Sequence, residues 1–148
     1  MTLLLGTRNA ASQSLVTGST LNLGEVYRKY CHKNECGVKT FDFNSTSVTL
    51  QQSGIYHITS TITFTAPVAG TVIFQLTENG VATPSALASE TITTATTEIK
   101  TTTIDFYVLV DRTCVLGSPS TLLKSIGINN TGVASTVTNV VLNIEKVV

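Results

Sequence analysis

The sequence predicts an all-β fold, an antiparallel sandwich of about eight to ten short strands, and three features predict it. Gly54 to Thr65, GIYHITSTITFT, carries an unbroken period-two pattern: Tyr56, Ile58, Ser60, Ile62 and Phe64 fall on one face, and Ile55, His57, Thr59, Thr61 and Thr63 on the other. Apolar alternating runs recur along the chain, separated by Gly, Pro, Asn and Ser clusters, and no apolar repeat at i, i+3, i+4 competes with them. Asn79-Gly80 sits between two such runs and is the dipeptide of a type I′ hairpin turn, whose central residues both need positive φ.

Taken in order, residues 1 to 25 hold short apolar groups, Leu3 to Leu5, Leu15-Val16, Leu21 and Leu23, broken by Gly6, Gly18 and Gly24. They read as an extended arm with one or two short strands. The stretch from Val26 to Lys33 places Arg28, Lys29 and Lys33 beside Tyr27 and Tyr30. A sheet-edge strand whose cations discourage pairing with another chain accounts for it better than an anion site. Val38, Phe41 and Phe43, then Val48 to Leu50, flank the polar turn Asn44 to Ser47 and lead into the Gly54 strand. After Ala66 to Gly70 comes a strand with Val72, Phe74 and Leu76 on one face. The low-charge segment Ser85 to Thr97 reads as a short strand flanked by loops. Ile99 to Val110 is apolar at Ile104, Phe106, Val108 and Val110, and also at Tyr107 and Leu109 between them. Leu122, Lys124, Ile126 and Ile128 form another alternating strand. In the last strand Val140, Leu142 and Ile144 alternate with Val141, Asn143 and Glu145.

A strand apolar on both faces is covered on both faces, yet a two-layer sandwich covers only one face of each sheet. The second face therefore calls for another subunit. The expectation is a homo-oligomer with its interface at Ile55, His57, Tyr107, Leu109 and Val141. Composition points the same way: 12% of the 148 residues are charged and the formal net charge is zero, so no self-repulsion opposes association. A chain of this length is one domain. A nucleic-acid partner is not expected, since such proteins present a basic stripe and a high pI. The N-terminal leucine run is too short for a secretory leader and no stretch approaches the ~18 apolar residues of a membrane span, so the reading is a soluble protein made in the cytoplasm.

The order of features, a GIYHITSTITF strand, a VIFQLTENG strand ending in a tight turn, a proline, a Thr-rich connection, a long apolar strand and a final VVLNIEKV strand, resembles the C1q/TNF-like jelly roll over residues 38 to 148. It is most similar to the small Thr-rich versions encoded by bacteriophages and prophages, which sit on virion surfaces. The resemblance implies a homotrimer packed through its inner sheets. It also implies a jelly-roll domain at 38–148 and an N-terminal arm at 1–37 that anchors to a major capsid protein or another virion component. The functional expectation is a non-enzymatic capsid decoration protein without cofactor, on the virion surface. The alternative is a receptor-binding or carbohydrate-binding fibre tip, with Tyr27, Tyr30 and the segment Thr83 to Ser89 as pocket candidates.

Chemistry-bearing residues are sparse. Cys31, His32, Cys36 and Cys114 have the composition of a Cys₃His zinc site, but adjacent ligands such as Cys31 and His32 point to opposite faces of a strand. Unpaired thiols and a disulfide from Cys114 to Cys36 or Cys31 are the competing readings. His57, among threonines, reads as a packed or interface residue with no Ser or Asp partner at a suggestive spacing. Three such imidazoles meeting on a threefold axis would bind a metal or sense pH. Asp42, Glu78, Glu90, Glu98, Asp105, Asp111 and Glu145 are scattered singly and read as solvent-face charges, not as a hydrolytic pair.

Overall fold

The structure is a computed structural model and describes residues 2–31, 39–111 and 123–147. Eleven strands and no helix occur among these residues: β1 Thr2–Asn9, β2 Gln13–Leu15, β3 Glu25–Lys29, β4 Phe41–Asn44, β5 Ser47–Leu50, β6 Gly54–Thr65, β7 Gly70–Glu78, β8 Val81–Ile92, β9 Lys100–Val110, β10 Lys124–Asn130 and β11 Ser135–Lys146. They form two antiparallel sheets. The six-stranded sheet runs β3-β1-β11-β6-β9, with β2 also paired to β11, and the five-stranded sheet runs β4-β5-β10-β7-β8. Because sequence-distant strands lie side by side, the sheets are stitched by crossovers and not built as simple meanders.

Alternation decides which residues fill the space between the sheets. On β6, Tyr56, Ile58, Ser60, Ile62 and Phe64 are completely buried. On β11 the same is true, within 1%, of Val137, Val140, Leu142 and Ile144. Phe64 of β6 meets Phe74 of β7 edge-on, with ring centroids 5.2 Å apart, so one aromatic pair ties the two layers together.

The turn at Asn79-Gly80 has φ of 54° and 80°, and β7 and β8 pair directly across it, as the dipeptide predicts. Beyond this turn the fold departs from the predicted short strand within Ser85 to Thr97. In its place β8 is a twelve-residue strand from Val81 to Ile92 that passes through Pro84. Pro84 is tolerated because β8 is the edge of its sheet, and Ser85 takes up the irregularity with φ of 67°. The buried Gln75 amide spans the gap, donating to the Thr83 carbonyl at 2.6 Å and the Ala86 carbonyl at 3.2 Å.

The predicted N-terminal arm is woven into the sandwich wherever it is described. β1 lies inside the six-stranded sheet between β3 and β11. A bulge between Leu3 and Leu5 turns Leu4 and Leu5, consecutive residues, both into the core. Leu15, Leu21 and Leu23 are buried as well, and residues 18 to 21 run along the free side of β10 through Gly18 N–H to Asn130 O and Leu21 N–H to Ile128 O. Leucine burial is the physical reason: wet, these side chains would each forgo roughly 1.5–3 kcal/mol. β3 is the outer strand of its sheet, with Arg28 and Lys29 exposed, in keeping with cations that guard an edge.

Candidate interaction surface

The outward face of the six-stranded sheet is set by the β6–β9 register. Ile55 pairs with Leu109, His57 with Tyr107, Thr59 with Asp105, Thr61 with Thr103 and Thr63 with Thr101. On the other side of β6, Glu145 of β11 stands opposite His57 and Val141 opposite Thr61. All these residues share the parity that points away from the core.

Two halves of this face differ in chemistry. Toward Thr65 it is a threonine ladder, with hydroxyls paired across the strands at 3.4 Å (Thr61–Thr103) and 3.0 Å (Thr63–Thr101). Toward Gly54 it is apolar and aromatic: Ile55 is 37% exposed, Leu109 52% and Tyr107 55%. The His57 ring stacks on Tyr107 with centroids 4.6 Å apart, and His57 Nε2 lies 2.5 Å from Asp105 Oδ1. Thr59 Oγ1 is 3.5 Å from the same nitrogen.

Farther across the sheet this face is already covered. A side chain at Gly6 would place its Cβ 2.6 Å from Tyr27 Cζ, so the missing side chain is what admits the ring. The Tyr27 hydroxyl donates to Asn143 Oδ1 at 2.7 Å, and the Arg8 guanidinium lies 5.8 Å from the ring centroid.

Of the predicted interface residues, Ile55, His57, Tyr107 and Leu109 come together as one patch. Val141 is on the same face but stands beside Thr61, six residues or roughly 20 Å along β6 from Ile55. The sequence casts Asp105 as a lone solvent-face charge and His57 as lacking an acidic partner; the structure pairs them. Nothing local signals this, because the partners are 48 residues apart and meet only through strand register.

Other carboxylates are likewise engaged. Glu78 accepts from Lys124 Nζ at 3.1 Å and from the Thr83 hydroxyl at 2.9 Å, and Asp42 faces Lys39 at 3.6 Å and the Gln51 amide. Glu98 accepts from the Thr93 backbone N–H at 2.9 Å and from its hydroxyl, which holds the carboxyl below its usual range. Burial pushes the Tyr56 phenol up to about 12, and its hydroxyl donates to the Gln52 carbonyl at 2.6 Å.

Cys31 is exposed, with Sγ 3.6 Å from the Phe41 carbonyl. His32, Cys36 and Cys114 lie outside the described residues, and so do the metal and disulfide readings that need them. Among the described residues, no group of three or more His, Cys, Asp or Glu side chains is placed to hold a metal. The fibre-tip candidates are not brought together: Tyr27 and Tyr30 belong to the β3 side of one sheet, and Thr83 to Ser89 to β8, which lies against β9 at the opposite side. No helix among the described residues is long and apolar enough to cross a membrane.

No protein-family model and no curated protein matches the chain. Solved structures do. Eiger TNF from S. frugiperda is similar with a TM-score of 0.54 at 9% identity, over 100% of this chain and 94% of that one. The PRD1 vertex protein P5 aligns with a TM-score of 0.48 at 15% identity, and CBM35 from Cellvibrio japonicus Abf62 with 0.41 at 16%, each over 96% of both chains. The likeness to Eiger TNF spans both sheets, and the fold is a TNF-like jelly roll.

Proposed function

We propose that the chain is a non-enzymatic structural protein of a virion, a homotrimer that decorates a capsid surface. The observation that carries the reading is the patch of Ile55, Tyr107 and Leu109, three large apolar side chains grouped at the end of one sheet face and wet in the single protomer. A patch of this kind marks a surface meant for a partner. A second copy of the same chain is the partner the charge favours, since a net charge of zero sets up no repulsion between copies. Threefold self-association and the virion setting come from the sequence resemblance to small Thr-rich phage jelly rolls. Contact with a capsid protein is assigned to residues 1–37, whose strand β3 presents Arg28 and Lys29 at a free sheet edge.

Sedimentation velocity on the purified chain tests the assembly: a trimer at micromolar concentration is expected, and a monomer there overturns it. Gold labelling of virions tests the location. Label on heads is the expected result, and label on tails alone moves the protein to a fibre.

A further inference from the structure

We propose that assembly through this face is governed by pH, with His57 and Asp105 as the sensor: copies associate more tightly when His57 is protonated. The inference rests on the self-association reading above and adds its regulation.

Asp105 alternates with Tyr107 and Leu109 on β9, so a copy seated over the apolar patch also covers the carboxylate. In the lone protomer the Asp105 side chain is 61% exposed and water solvates its charge. Covering it removes that water, and a carboxylate taken out of water without a compensating cation is strongly disfavoured. Among the described residues His57 is its ion-pair partner, at 2.5 Å.

A neutral imidazole donates a hydrogen bond but leaves the pair with its negative charge. An imidazolium cancels it. Two strands bring acidic and aromatic groups up to His57. From β9 come Asp105 and the stacked Tyr107 ring, and from β11 Glu145, the register partner. Lys146, the other charged residue at the end of β11, is turned to the opposite face, with Nζ 5.9 Å from the Tyr56 ring centroid.

The sign comes from linkage. If covering the pair favours the imidazolium, association takes up protons. It is then at full strength below the histidine range and fades as pH rises through it, within the window of about pH 5 to 8 where histidine changes charge.

The test is sedimentation velocity of the full chain at fixed ionic strength, at about pH 6 and about pH 8. The protomer concentration at half-assembly is expected to fall by about tenfold or more at the lower pH. Equal assembly at both values, or tighter assembly at the higher one, overturns the sensor and leaves the trimer standing. A monomer at both removes the trimer and the sensor with it. His57→Gln is expected to flatten the pH dependence, and Asp105→Asn to assemble equally at both values. A pH dependence that survives in folded His57→Gln protein overturns the assignment. The wild-type comparison stands without the variants, so the test survives a variant that fails to fold.

Discussion

The two faces of β6 alternate along one run of twelve residues and have opposite relations to the rest of the molecule. The inner face is finished by the chain itself: Tyr56, Ile58, Ser60, Ile62 and Phe64 are fully enclosed. The outer face is finished only in part. Its threonine half pairs its hydroxyls across β9, while the half bearing Ile55 ends in exposed carbon. One strand thus carries both a folding surface and an assembly surface, and substitutions on alternate residues should separate the two. The largest effect is expected inside. Phe64→Ala removes one ring of the pair that links the sheets and should lower folding stability by about 3–5 kcal/mol in urea unfolding. A loss under about 1 kcal/mol would mean that the layers are held elsewhere.

Adjacent titratable residues sharpen the contrast, because Tyr56 points in and His57 points out. The phenol of Tyr56 is raised by burial to about 12 from an ordinary 10. For a raised group the stabilisation is complete below the unfolded value and is lost as pH climbs to the folded one. Stability should therefore decline between pH 10 and pH 12. At about 1.4 kcal/mol per unit, the loss attributable to Tyr56 is about 2–3 kcal/mol. Tyr56→Phe should remove that part of the alkaline decline while leaving the pH response of assembly in place. An unchanged decline in the variant would place its origin outside the core face of β6.

On the outer face the expected changes are in association, not folding. Leu109→Glu puts a charge opposite Ile55, where a second copy would have to bury it. Assembly should weaken by about tenfold or more, about 1.4 kcal/mol. The exposed site should hold folding stability within about 0.5 kcal/mol. Sedimentation and urea unfolding on the same sample read both quantities. Loss of folding stability in step with assembly would show that the patch belongs to the protomer's own core.

Legibility in the sequence divides along the same physical line. Local chemistry is legible. The alternation of β6 names its buried residues, and Asn79-Gly80 locates its hairpin because only certain residues accept positive φ there. The TNF-like jelly-roll fold emerges from the order of such local features. Non-local register is not legible. Nothing near His57 in the chain announces Asp105, and Val141 shares the parity of the patch but sits far along the face. Nor does the composition of residues 2 to 9 reveal that β1 is an interior strand, since pairing with β11 is decided by the whole sandwich. Pro84 lies inside β8 without ending it because a proline breaks a strand only where its missing N–H is needed, and an edge does not need it.

The smallest effect concerns the exception on the inner face. Ser60 is a polar residue among buried carbon. Its Oγ finds no hydrogen-bond partner among the described residues, and the same is true of the Thr7 hydroxyl, which flanks Leu142 from the other side. A buried hydroxyl left unpaired is destabilising, and removing it while keeping shape is neutral or favourable. Thr7→Val is the cleaner change because it is nearly isosteric. It should raise stability by about 0–1 kcal/mol, or up to about 2–4 °C in melting midpoint for a chain of this size. Ser60→Ala should move the same way or less, since it also gives up a small volume. Neither should alter assembly, because both point away from the patch. A loss above about 1 kcal/mol from Thr7→Val would show that the hydroxyl is satisfied, and the inner face of this sheet would then hold a polar contact that strengthens it.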